Sequence, residues 1–298
     1  MKLKSLSVCI VGKPNSGKST LMNLIVGQKI SIVTPKVQTT RSIITGIVTL
    51  EDTQIILFDT PGIFEPKKKL EKAMVRCAWS SLSSADMIVL IIDSTCKLDS
   101  MMQEIIERIS AVGTNIVFLM NKIDLRSKYY TENMLFIERA KPQAKIFNIS
   151  ALKNKNIDSF LAYLKDHANH LGWMYDKDDI TNLTSRFLAA EITREQLFLQ
   201  LHQEIPYNLT VEHEAWKEQK DGSIKVSQVI IVGRDIYKNM IIGKNGSRIK
   251  EIGSKARVNI EELVGQKIHL FLFVKVKEKW EEDPQTYHNM GLTYHSGD

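Results

Sequence analysis

Between about residues 6 and 171, short β-branched apolar runs alternate with amphipathic stretches. Residues 7–11, 43–50, 54–58, 87–92, 115–120 and 145–149 have the length and composition of strands. Residues 19–26, 100–112 and 156–171, lying between them, carry helical spacing. Strands separated by helices predict βαβ units and a doubly wound, mostly parallel α/β sheet. Residues 88–92 are apolar at every position, which suits a strand covered by helices on both faces. Only Glu51, Asp52 and Thr53 join the second and third runs, so these are expected to form a hairpin.

The alternation then breaks. Residues 173–184 are polar, carry Asp176, Asp178 and Asp179, and read as a linker. A helix from Ser185 to about His202 follows, then strand-like stretches at 209–218 and 224–232 separated by a turn at Asp221-Gly222. A helix over 247–263 and an alternating strand over 268–276 complete an α+β pattern. The expected organisation is therefore a first domain over 1–172, a linker over 173–184, a second domain over 185–283 and a tail over 284–298 to which no role is assigned.

Composition changes this picture little. A 43% hydrophobic and 25% charged chain of 298 residues is ordinary for two globular domains. The net charge of +6 fits an anionic partner and a solvated basic surface equally well. Cys9, Cys77 and Cys96 stand at unrelated spacings, which points to reduced thiols rather than a disulfide frame or zinc site. His167 and His170 read as surface histidines. No signal or transit peptide is expected ahead of the first strand. The longest apolar run, 87–92, is far short of the roughly 20 residues a membrane-spanning helix needs.

Chemistry enters at the strand ends. Gly12, Lys13, Pro14, Asn15, Ser16, Gly17, Lys18 and Ser19 fit G-x-x-x-x-G-K-[ST] between a strand and a helix that continues with Thr20. Such a loop curls backbone N–H groups around phosphate oxygens at a helix N-terminus. Lys18 is expected at the β- and γ-phosphates, and the Ser19 hydroxyl on Mg²⁺. Asp59, Thr60, Pro61 and Gly62 close the strand at 54–58, where ligands of open α/β sheets bind. Asp59 is assigned to the Mg²⁺ shell through water and the Gly62 N–H to the γ-phosphate. Asn121, Lys122 and Asp124 follow the strand at 115–120. A carboxylate at Asp124 offers two acceptors to the adjacent N1–H and amine of guanine, a donor pair that adenine lacks. Asn121 is expected to tie this loop to the phosphate loop and base. Ser150, Ala151 and Leu152 are expected to give a backbone N–H to the guanine O6.

These elements resemble translation-factor-class GTPases and select GTP over ATP. Positioning and charge stabilisation dominate phosphoryl transfer, so Lys18, Thr40, Asp59 and Gly62 are the catalytic candidates. Gln38-Thr39-Thr40-Arg41 reads as the first switch, with Thr40 the Mg²⁺ ligand and Thr39 the alternative. Ile63 stands where Ras-type enzymes carry the water-orienting glutamine, so slow turnover and a need for an activating partner or cation are expected. That departure resembles a bacterial branch in which a phosphate-loop asparagine helps hold K⁺, and Asn15 matches it. The Lys67-Lys68-Lys69 run reads best as a solvated switch-loop face.

In the second half, Ile241-Ile242-Gly243-Lys244-Asn245-Gly246 carries a G-x-x-G turn ahead of a helix. Glycines there let an RNA backbone approach closely, with Ile242, Gly243, Lys244, Asn245, Gly246, Arg248 and Lys250 as the expected contacts. The order helix, strand, strand, short helix, G-x-x-G, helix, strand resembles a type II KH domain. Joined to the GTPase half, the chain resembles the Era family over nearly its whole length. That resemblance implies binding near the 3′ end of small-subunit (16S) ribosomal RNA and assistance in 30S subunit assembly. It also implies loose association with the bacterial inner membrane, while the reduced thiols point to the cytoplasm and a monomer is expected. The alternative is a GTPase that binds another RNA and uses GTP mainly as structure.

Overall fold

The computed structural model describes residues 3–113 and 115–296. The chain divides into two compact units, one holding the residues up to 31 and 40–182, the other 32–39 and 183–296.

The first unit runs β1 (Lys4–Val11), α1 (Lys18–Val26), β2 (Ile44–Leu50), β3 (Thr53–Asp59), α2 (Lys69–Ser80), β4 (Met87–Asp93), α3 (Ser100–Ser110), β5 (Asn115–Asn121), α4 (Tyr130–Ala140), β6 (Lys145–Asn148) and α5 (Ile157–Asp166). Its six-stranded sheet has the order β2-β3-β1-β4-β5-β6. Only β2 is antiparallel to its neighbour, as the short connection to β3 requires. The other pairings are parallel. Leu6–Val11 of β1 and Met87–Ile92 of β4 are buried at every position because helices cover both faces. Ile88, Leu90 and Ile92 pack with Met102, Ile105, Ile106 and Ile109 of α3. Parallel order brings the C-terminal ends of β1, β3, β4 and β5 to one edge, where the candidate loops emerge.

Three details depart from the pattern. The helix expected over 156–171 stops at Asp166, and Asn169 instead exchanges backbone hydrogen bonds with Ser5 at 2.9 Å each way. Residues 173–182 are strapped to the β2–β3 hairpin rather than hanging as a free linker. The Gln54 side chain accepts from the N–H of Met174 and Tyr175, the Ile47 N–H donates to Ile180 O at 2.8 Å, and Thr181 Oγ1 donates to Thr45 O at 2.6 Å. β2 is the sheet's edge, so this strap satisfies backbone groups that would otherwise stand open. Lys67 and Lys68 remain exposed, but their N–H groups both donate to Glu71, making the lysine run the capped start of α2.

The second unit runs α6 (Ser185–Gln200), β7 (Leu209–Glu218), β8 (Ile224–Val232), α7 (Asp235–Ile242), α8 (Ser247–Val264), β9 (Ile268–Val276) and α9 (Pro284–Asn289). The sheet order is β7-β8-β9, with β7 antiparallel and β9 parallel to β8. Leu209, Ile230 and Val232 pack with Leu197, Ile241 and Ile252 on the helix-covered face. The tail that the sequence left without a role folds as α9, N-capped by Asp283, and buries Tyr287, Met290 and Leu292. Its residues 297–298, like 1–2 at the other end, lie outside the described residues.

Burial also decides thiol chemistry. Cys9 is fully buried in β1, and that burial pushes its thiol up to about 12, while Cys96 is exposed. At pH 8 the Cys9 thiolate fraction is on the order of 10⁻⁴. A maleimide should therefore label Cys96 within minutes and reach Cys9 only after denaturation, as peptide mass mapping would read.

Candidate nucleotide and RNA sites

The phosphate loop leaves β1 at Val11 and enters α1 at Lys18. Gly17 sits at φ +104°, and a Cβ there would lie 2.2 Å from Asn121 Nδ2, so only glycine fits between the loop and β5. Asn15 also adopts a left-handed conformation, at φ 60°. Lys18 is 6% exposed, with its ammonium donating to Lys13 O at 2.9 Å and Gly12 O at 3.2 Å. Burial lowers its pKa to about 8, opposed by the charge of Asp59. A desolvated cation among backbone dipoles is well suited to phosphate oxygens, which restore the interactions burial removed. Lys13 is tied by an ion pair to Asp99 at the cap of α3.

Four oxygens converge at the first turn of α1. Ser19 Oγ donates to Asp59 Oδ2 at 2.6 Å and lies 3.0 Å from Thr40 Oγ1, while Ser31 Oγ donates to Asp59 Oδ2 at 2.8 Å. Asp59 is fully buried, and its Oδ1 lacks a hydrogen-bond partner. Burial holds this carboxyl above the usual carboxylate range, against the lowering effect of Lys18 and the hydroxyls. Hard oxygens around a buried carboxylate with one uncommitted atom fit Mg²⁺. Thr40, rather than Thr39, reaches Ser19. Ser31 escaped the sequence reading, since a lone loop serine carries no motif. Asn23 of α1 places it, its Oδ1 accepting from Ile30 N and Ser31 N and its Nδ2 donating to Ser31 O.

Thr39 is used differently, within the second unit. Its carbonyl accepts from Arg194 Nη2 at 2.6 Å, and Arg194 of α6 is 2% exposed and paired with Glu191. The Val33 N–H donates to Glu195 at 2.8 Å, and Lys36 donates to the carbonyls of Phe198 and Leu201. Val33, Lys36 and Thr39 thus tie the segment 33–39 to α6 within the second unit.

After β3, Thr60 Oγ1 donates to Ile10 O at 2.8 Å, so its hydroxyl braces β1 rather than facing a phosphate. The Ile63 N–H donates to Gly12 O at 3.0 Å, and its side chain is 4% exposed within the α2–α3 core. Ile63→Gln should therefore not accelerate hydrolysis. Burying an amide there should cost about 1–3 kcal/mol. Thermal melting and single-turnover rates check both outcomes.

Asn121 joins the two remaining loops. Its Nδ2 donates to Ser16 O at 2.8 Å and its Oδ1 accepts from the Ala151 N–H at 3.0 Å. That contact ties the Ser150–Leu152 loop to β5 through the Ala151 N–H, and Leu152 is exposed at 74%. Asp124 is half-exposed, and Ser150 Oγ donates to its Oδ1 at 2.5 Å, which lowers its pKa. Lys122 is fixed by Asp93 at the end of β4, at 2.6 Å, a partner the sequence did not reveal.

In the second unit, α7 ends at Ile242 and the G-x-x-G turn begins. Gly243 sits at φ +72°, and a Cβ there would meet Arg248 Cβ at 2.8 Å. Gly246 opens α8 in the left-handed region. Lys244, Asn245, Arg248 and Lys250 are exposed, Ile242 is half-buried, and Arg248 braces the turn by donating to Met240 O at 2.9 Å. The turn therefore offers cations and open backbone, without an aromatic ring.

Comparison with known proteins agrees with this division. The family described as 50S ribosome-binding GTPase matches residues 7–122, and the KH domain family matches residues 204–281. GTPase Era of Rickettsia conorii is 58% identical over 97% of this chain and 85% of the relative. GTPase Era of Mesorhizobium japonicum is 44% identical over 96% of this chain and 93% of the relative. A crystal structure of Era in complex with MgGDPNP and nucleotides 1506–1542 of 16S ribosomal RNA superposes with a TM-score of 0.92 at 36% identity, covering 97% of this chain and 99% of that one.

Proposed function

The chain belongs to the Era family of GTPases, and from that premise we propose that it is a slow GTP-driven switch that grips small-subunit ribosomal RNA near its 3′ end and assists 30S assembly. The observation carrying this reading is one chain holding both a complete phosphate, metal and guanine constellation and an exposed cationic G-x-x-G turn. The relative crystallised with MgGDPNP and a 16S fragment supports the choice of RNA. A 16S fragment belongs to the small subunit, so this reading departs from the subunit in the GTPase family's description.

The residues divide the work. Asp124 and Asn121 hold the base and its loop, and the phosphate-loop N–H groups with Lys18 receive the triphosphate. Ser19, Thr40 and Asp59 would hold Mg²⁺, which when bound neutralises charge on β- and γ-phosphate oxygens. Ile63 supplies no group to orient water, so turnover is slow. We assign K⁺ activation to Asn15; phosphate release should be faster in KCl than in NaCl at matched ionic strength, and equal rates would remove the assignment.

Crosslinking the protein to total cellular RNA, in GTP-analogue and GDP forms, tests the RNA reading. Crosslinks should cluster at one 16S site; scatter over messenger RNA would favour the second reading, a GTPase serving another RNA. The same reading places a monomer in the cytoplasm with loose contact to the inner membrane, which cell fractionation tests. Among the described residues, no helix is long and apolar enough to cross a membrane.

A further inference from the structure

The G-x-x-G turn lacks aromatic rings, yet the same unit displays two of them elsewhere. Along β9, Ile268, Leu270, Leu272, Val274 and Val276 face the helices, whereas His269, Phe271, Phe273 and Lys275 face away and are exposed. Phe271 and Phe273 are 44% and 53% exposed, and of the chain's ten phenylalanines they are the only exposed ones among the described residues. Two residues apart on one strand, they stand roughly 6.6 Å apart along it. The Lys225 ammonium of β8 lies 5.0 Å from the Phe271 ring centroid.

The pairing register extends the face. Lys225 pairs with His269, Ser227 with Phe271 and Val229 with Phe273, while Lys217 of β7 pairs with Lys225. The face thus carries Lys217, Lys225 and Lys275 with His269 around two rings and Glu212 beside Val229, while Ile231 beside Lys275 and Thr210 beyond it are buried. β9 is an edge strand, and α7 and α8, which frame the G-x-x-G turn, pack on its other face. A cationic sheet with neighbouring exposed rings suits single-stranded nucleic acid: bases stack on the rings while lysines meet the phosphates. Isolated exposed apolar residues need no explanation, but adjacent rings among cations form a patch.

We propose that the open face of the β7-β8-β9 sheet is a second single-stranded RNA contact, in which Phe271 and Phe273 stack bases and Lys225 and Lys275 meet phosphates. It rests on the RNA-binding reading above and extends the footprint from the G-x-x-G side across the β9 edge.

The test uses the full-length protein and fluorescein-labelled single-stranded 16S fragments long enough to reach past the G-x-x-G turn. Phe271→Ala and Phe273→Ala should each weaken binding by about tenfold, within the range measured for one stacked base. Phe273→Tyr should retain affinity. Lys225→Gln should lower the salt dependence by about one counterion. Lys244→Ala provides the comparison: if it weakens binding while both phenylalanine variants stay within twofold of wild type, the sheet proposal fails and the KH reading stands. If wild type binds no RNA, both fail. Photocrosslinking with thiouridine-substituted RNA guards against misfolded variants, since absence of crosslinks in peptides containing 269–275 would overturn the proposal. So would a dimer, or binding to anionic vesicles, that the alanine variants abolish while RNA affinity is unchanged.

Discussion

Lys18→Ala should lower the rate of GTP hydrolysis by on the order of 10²–10³, the range seen when one preorganised donor is removed from a developing anion. Lys18 is the fully desolvated cation of the phosphate loop, held by two loop carbonyls. Truncation removes the positive charge and leaves those carbonyls without their donor. Backbone N–H groups and the Ser19–Thr40–Asp59 oxygens would remain, so nucleotide binding should weaken less than turnover. Single-turnover phosphate release, with affinity measured separately by titration of a fluorescent GTP analogue, distinguishes the two. A rate within tenfold of wild type would contradict the role given to Lys18.

Asp124→Asn should cost about 10²–10⁴ in GTP affinity and shift preference toward XTP, with the fold of the first unit intact. Guanine presents two donors, and an amide in place of the carboxylate sets a donor against one of them; xanthine presents an oxygen there. Sites built to pair with a donor reject analogues lacking it by roughly 10⁴–10⁵. Because Asp124 is half-exposed, this selectivity arises when the base covers the carboxylate, not from a pre-existing buried charge. Ser150 supports the carboxylate with a 2.5 Å hydrogen bond, so Ser150→Ala should show a milder loss, about tenfold. Competition of GTP, ATP and XTP for one labelled nucleotide reads all of these. Unchanged GTP preference in the Asp124 variant would place base recognition elsewhere.

Residues 12–19 were legible because a phosphate loop is made by consecutive residues, whose backbone N–H groups follow from local conformation. Asp59, Asn121 and Asp124 were legible because each stands where a recognisable strand ends, and parallel order brings such ends to one edge. The KH order was likewise readable from alternating elements around G-x-x-G.

What only the tertiary structure decided are the partners far apart in sequence. Nothing local separates Thr39 from Thr40; the placement of Thr40 at Ser19, and of the Thr39 carbonyl at Arg194, does. Ser31 at Asp59 and Asp93 at Lys122 are single polar residues without a motif, brought in by neighbouring elements. The run 173–182 is polar in sequence because its work is to hydrogen-bond an edge, which looks the same as a linker until the edge is known. In 268–276, apolar residues occupy seven of nine positions, so period alone does not tell which side is covered. Helix packing on one side of β9 decides that, and leaves Phe271 and Phe273 in solvent. Local backbone chemistry thus set the nucleotide loop and the order of elements. Long-range packing set the metal oxygens, the bracing of the switch and the open face of the sheet, because those depend on distances that one chain segment does not encode by itself.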